Sequence, residues 1–143
     1  RRRWLVLAVA AALALVLAGG AAAAYLVSQR DSSAAPPAPG PTASDATELV
    51  RRHYEALPED PATAYQNLAL SYRPTFEQYT RTWGAYDQVG ADGIAVSSQD
   101  GSRFVVHVRV TFVRAGVETA GRYELVVEPV EGRLLIVRSA ELG

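Results

Sequence analysis

The chain has 143 residues, with 14 basic residues, all of them arginine, against 15 acidic ones, for a formal charge of −1. That balance gives no electrostatic reason to expect a nucleic-acid partner, and the absence of lysine excludes Schiff-base chemistry. Cysteine is absent as well, which removes disulfides, thiolate nucleophiles, Cys-ligated zinc, iron–sulfur sites and a lipid-modified cysteine together.

Trp4 to Val27 form an uncharged apolar run preceded by Arg1, Arg2 and Arg3. As a helix the run is about 36 Å long, enough to cross a hydrocarbon core of about 30 Å. The arginine triplet favours a cytoplasmic N-terminus, so everything beyond Arg30 is expected outside the cell membrane. The competing reading is a cleaved secretory signal with its cleavage region among Ala18 to Ala24. Against it, the run is longer than a signal core, and Tyr25 continues it as an interfacial aromatic. The chain starts at Arg1 without a methionine, and reads either as a protein lacking its initiator or as a C-terminal excerpt. Residues 28–45 carry Pro36, Pro37, Pro39 and Pro41 among Ala and Ser, the composition of an extended spacer rising about 3.1 Å per residue.

Helical signals follow. Asp45 and Glu48 have capping-box spacing, and Leu49, Val50, His53, Tyr54 and Leu57 share one helical face that Pro58 terminates. Asp60-Pro61 predicts an N-cap and N1 proline for a short helix through Leu68, with Tyr65 and Leu68 inward. Pro74 opens a third helix, with Phe76, Tyr79 and Trp83 on one face and Gly84 at its end.

The period then changes from 3.6 to 2. Phe104, Val106, Val108, Val110 and Phe112 alternate with polar or outward residues, as in a half-buried strand. A two-residue turn at Ala115-Gly116 pairs Phe104 with Val127, Val106 with Leu125 and Val108 with Tyr123. The opposite face then matches Arg103 with Glu128 and His107 with Glu124, cation to anion. Glu131-Gly132 makes a second turn, pairing Val127 with Ile136 and placing Leu134, Ile136, Arg138 and Ala140 inward. For the first hairpin, a three-residue loop at Gln99-Asp100-Gly101 would set Val96 opposite Phe104 and Ile94 opposite Val106. The expected fold class is α+β: three short helices packed on a curved four-stranded antiparallel meander over about 92–142.

Helices first and then a curved antiparallel sheet is a layout that resembles the NTF2-like, cystatin-like α+β cone. Three stretches carry the resemblance: His53-Tyr54-Glu55-Ala56-Leu57-Pro58, Tyr79 to Trp83-Gly84, and Gly132-Arg133-Leu134-Leu135-Ile136. With the arginine-rich anchor and the proline spacer, residues 46–143 look like the extracytoplasmic NTF2-like domains of high-GC Gram-positive bacteria. Some of those stand at the C-terminal end of receptor-type serine/threonine kinases. The resemblance implies a single-pass membrane protein whose outer domain binds a ligand or partner, as the sensor end of a signalling protein. No kinase motif lies in this chain.

Enzymes of this layout need a carboxylate facing an apolar cavity. The predicted inward set contains no Asp or Glu, so no catalytic residues are assigned and the domain is expected not to be an enzyme. The rival reading is an envelope isomerase or hydrolase, and a third is a structural assembly module. A pocket formed by Tyr54, Tyr79, Trp83, Tyr123 and Arg138 would hold a small anionic group, unless Arg138 lies at the mouth with its head in water. His107 and Glu124 read as a cross-strand ion pair, since no nucleophile shares their face, and His53 reads as a boundary residue. Val105, Val126 and Val137 align across three strands beside Leu135, so the outer face, with His107 and Glu124, is a candidate homodimer surface. With two histidines and no cysteine, neither a metal nor a cofactor is expected.

Overall fold

The computed structural model describes residues 39–143. The expected membrane segment over 4–27, its arginine flank and most of the spacer lie outside these residues. Among the described residues no helix is long and apolar enough to cross a membrane.

Helix α1 spans Ala43–Glu55 and starts one turn earlier than predicted, because its N-cap is Thr42. Thr42 Oγ1 accepts the Asp45 amide at 3.2 Å while Asp45 Oδ2 accepts the Thr42 amide at 2.8 Å. This is the reciprocal box with aspartate in the role usually given to glutamate, so the predicted Asp45/Glu48 box is corrected to Thr42/Asp45. Glu48 serves the exposed flank instead, accepting from Arg51 Nε at 2.9 Å. Ala46, Leu49, Val50, His53 and Tyr54 make the buried stripe at helical spacing. Helix α2, Pro61–Gln66, is capped as predicted by Asp60, whose carboxylate accepts the Thr63 amide at 3.1 Å. Helix α3, Phe76–Trp83, is capped by Thr75 with Gln78 completing the box, and Pro74 lies just before the cap. Gly84 ends it as expected, with φ −65°, a right-handed conformation that does not itself call for glycine. Glycine is needed there for a different reason: a Cβ would sit 2.8 Å from the Thr80 carbonyl oxygen.

Four strands follow in simple order: β1 (Gln88–Asp100), β2 (Arg103–Arg114), β3 (Val117–Val130) and β4 (Arg133–Leu142), all antiparallel. The β2–β3 register is the one read from the sequence, with Phe104 opposite Val127 and His107 opposite Glu124 throughout an unbroken ladder. Its turn has both central residues at positive φ, Ala115 at 50° and Gly116 at 77°, the geometry that matches strand twist. Asp87 fastens that turn from a distance, accepting the Ala115 amide at 2.8 Å.

The outer strands depart from strict alternation. In the first hairpin, Asp100 pairs directly with Arg103, so the turn is Gly101-Ser102 and the three-residue loop is not formed. Two bulges, at Asp92/Ala95 and Val96/Ser98, then restore the apolar side chains of β1 to the core side, with Val96 opposite Val106. On the other edge, Val127 pairs with Ile136 as predicted, but Val126 pairs with Arg138, leaving Val137 as an extra residue. That bulge inverts the remainder of β4: Ser139 faces Leu125 on the inner side, while Arg138 and Ala140 go to the outer side. Strand β4 also receives an unpredicted neighbour. The Asn67 carbonyl accepts the Ile136 amide at 2.8 Å, and the Ile136 carbonyl accepts the Ala69 amide at 2.9 Å. The chain leaving α2 is thereby bonded to the sheet edge.

The core lies between α1 and the inner sheet face. Val50, Phe104, Val106, Leu125 and Ile136 are each essentially inaccessible, and each such side chain is worth about 1.5–3 kcal/mol of burial.

Candidate functional site

The helices do not fill the concave side of the sheet completely. A cavity of about 250 Å³ remains between the end of α1, helix α3 and strands β3 and β4. Its walls are mainly apolar or aromatic, from Leu68, Leu125, Ile136, Trp83 and Tyr54, with Tyr72 at 38% exposure where it meets solvent. Three of the buried side chains that line it carry polar atoms, His53, Tyr54 and Tyr79.

His53 is only 4% exposed. It lies on the apolar stripe of α1, at i+4 from Leu49 and i+3 from Val50, so helical periodicity alone carries it inward. Nδ1 lies 3.0 Å from the Ala64 carbonyl oxygen. A carbonyl can only accept, so Nδ1 carries the proton and Nε2 of the neutral ring is a bare acceptor. Nε2 has no hydrogen-bond partner among the described residues. Burial pushes the imidazole down to about 4, a shift only partly opposed by the bond to Ala64. At neutral pH the ring is therefore uncharged.

Tyr79, on the inner face of α3, is 5% exposed and its hydroxyl has no partner among the described residues. Around it runs a chain of aromatic contacts. The Tyr65 ring lies 5.2 Å from it and Trp83 6.1 Å, and Trp83 stacks on Phe112 at 6.2 Å. Tyr65 in turn bonds the Pro74 carbonyl at 2.7 Å, which ties α2 to the start of α3. The Tyr79 phenol is thus held rigidly, and burial raises its pKa far above the working range. Burial does the same to the Tyr54 phenol. A buried hydroxyl left without an acceptor costs free energy of about 1–3 kcal/mol.

Of the five pocket residues expected from the sequence, the structure brings Tyr54, Tyr79 and Trp83 to the cavity. Tyr123 is on the inner face opposite Val108, yet it packs edge-on against Phe112 at 6.0 Å and does not line the cavity. Arg138 is exposed on the outer face, because the bulge at Val137 turned it there. The anionic-group reading therefore loses its cation: no charged side chain among the described residues lines this cavity. His53 and Ser139 take the vacated polar roles. His53 was visible in the helical stripe, but the inward position of Ser139 had no local sequence signal.

On the outer face, Val105 is opposite Val126, and His107 bonds Glu124 at 3.2 Å. The predicted valine row ends there, since Arg138 and not Val137 pairs with Val126. Val126 is buried, and Val105, Leu135 and Val137 are half-buried.

No protein-family profile and no curated protein matches the chain. Among solved structures, it is similar to a variant of a protein called Rd1NTF2_05, at 12% identity over 68% of this chain and 97% of that one, with a TM-score of 0.56. It is also similar to RPA3114, a SEC-C motif containing protein from Rhodopseudomonas palustris, at 19% identity over 66% and 77% of the two chains, with a TM-score of 0.54. At these identities the likeness is one of fold. The described domain has an NTF2-like α+β fold.

Proposed function

We propose that this NTF2-like domain is a non-catalytic module that binds a small, largely apolar ligand in the cavity between α1, α3 and the sheet. The observation that carries the reading is the cavity itself, about 250 Å³ walled mainly by aromatic and aliphatic side chains with His53 and Ser139 among them. Pockets with apolar walls and few convergent polar groups are where proteins hold small molecules. Two features support binding over turnover. No carboxylate among the described residues faces the cavity, and His53, held near 4, is a weak base at neutral pH. The apolar run at 4–27 behind three arginines supports display of the domain outside the cell membrane, where it would report ligand to a membrane partner.

Ligand binding is tested by thermal unfolding with one- and two-ring aromatic compounds. A compound that binds only the folded protein raises Tm by mass action. Toluene and naphthalene are expected to raise it in the natural protein, and not in Ser139→Phe, where the cavity is filled. No shift with any of the series at millimolar concentration would overturn the reading.

A further inference from the structure

We propose that the segment joining α2 to α3 is a membrane-docking surface, which rests on the headgroup region of the bilayer with Leu70, Tyr72 and Phe76 inserted. This depends on the membrane display proposed above, and it sets the rim of the cavity against the lipid.

Three of the four large hydrophobic side chains exposed among the described residues fall in one short stretch: Leu70 at 74%, Tyr72 at 38% and Phe76 at 45%. The Tyr72 and Arg73 amides both donate to the Ala69 carbonyl at 3.0 Å, which folds 69–73 into a turn with Leu70 exposed on it. Tyr65 fastens the other end. Its ring meets Phe76 at 5.2 Å, its hydroxyl donates to the Pro74 carbonyl at 2.7 Å, and the Arg73 guanidinium lies 4.7 Å over its face. The hydrophobic groups are thus presented on a segment already ordered, which lowers the entropy cost of docking. Charge suits a bilayer as well. Residues 61–76 contain no acidic residue and a single cation, Arg73, so nothing in the stretch repels anionic headgroups. Glu77, next along, is paired with Arg81 at 2.6 Å. Aliphatic and aromatic groups around one arginine make the composition of an interfacial membrane contact. Reach is also sufficient. Residues 28–38 separate the apolar run from the described domain and span at most about 40 Å. So short a tether gives an effective concentration of about millimolar, at which weak insertion is enough. Tyr72 and Pro74 also line the cavity. An apolar ligand dissolves in acyl chains in preference to water, and at this rim it would enter without crossing the aqueous phase.

Because the chain has no cysteine, a single introduced thiol takes a label cleanly. Leu70→Cys and Val117→Cys are each made in the full chain, labelled with the fluorophore NBD, and reconstituted into vesicles of phosphatidylcholine and phosphatidylglycerol in equal parts. Val117, 63% exposed beside the turn between β2 and β3, is the control. Brominated acyl chains are expected to quench the label at 70 several-fold more than the label at 117. Phe76→Glu, added to Leu70→Cys, should bring the quenching at 70 down to the level at 117. Equal quenching at the two positions, strong or absent, in vesicles that carry the chain on flotation would overturn the docking surface and leave the anchor standing. Quenching at 70 that survives Phe76→Glu would trace the contact to the label and overturn it too. A chain that does not float with the vesicles would overturn the anchor and the docking surface together.

Discussion

Because its Nδ1 proton is committed to the Ala64 carbonyl, His53 can become charged only by placing a cation in an apolar cavity wall. Its pKa falls from the ordinary 6.5 to about 4 for that reason. Between those values the unfolded chain binds the proton and the folded chain does not, so stability rises with pH across this interval. The contribution is complete above about 6.5, declines as pH drops and is exhausted below about 4, amounting to about 3 kcal/mol. Tyr54 and Tyr79 in the same wall have raised pKa values and do not titrate there. Asp45 and Asp60, held low by their capping hydrogen bonds, act in more acid solution. Urea unfolding between pH 7 and 4.5 should therefore show a slope that His53→Asn removes, since asparagine still donates to Ala64 without taking up a proton. An equal slope in the variant would show that another group is responsible.

At the level of elements, the strands and their turns divide into what local chemistry writes and what it leaves open. The β2–β3 ladder was legible because twelve-odd residues of alternation, matched charges and a glycine turn all agree on one register. Its weak point is Ala115, a residue with a Cβ held at φ 50°. Left-handed backbone costs an ordinary L-residue about 1 kcal/mol, and asparagine tolerates it better. Ala115→Asn should raise the melting temperature by a few degrees, about 0.5–1 kcal/mol of stability. A lower melting temperature would mean that the Asp87 bond to the Ala115 amide depends on the alanine backbone. The helices were equally legible in face and order, but the caps shifted by one turn at α1, where Thr42 and Asp45 outcompeted Asp45 and Glu48. The bulges at Val137 and in β1 were not legible. A bulge relieves twist accumulated over a long strand and is set by what packs on both sheet faces, so no short window of sequence contains it.

For the whole molecule, three helices and a meander were enough to predict an NTF2-like fold, and the similar solved structures share it. The membrane proposal makes its own prediction at this scale. The full chain should stay with the membrane pellet after an alkaline carbonate wash, and protease added to intact cells should degrade residues 46–143. Recovery in the soluble fraction would remove the anchor from the account. By itself the sequence determined the class of fold, the central register, the buried stripe that includes His53 and the exclusion of thiol and Schiff-base chemistry, because each follows from residue type or from a short repeating period. Tertiary structure alone decided which polar groups meet in the cavity. One extra residue at Val137 sends Arg138 to the outer face and brings Ser139 inward, and the packing of α1 against α2 leaves His53 bonded to Ala64. Those outcomes depend on contacts between elements far apart in the chain, and the chemistry of the cavity depends on them.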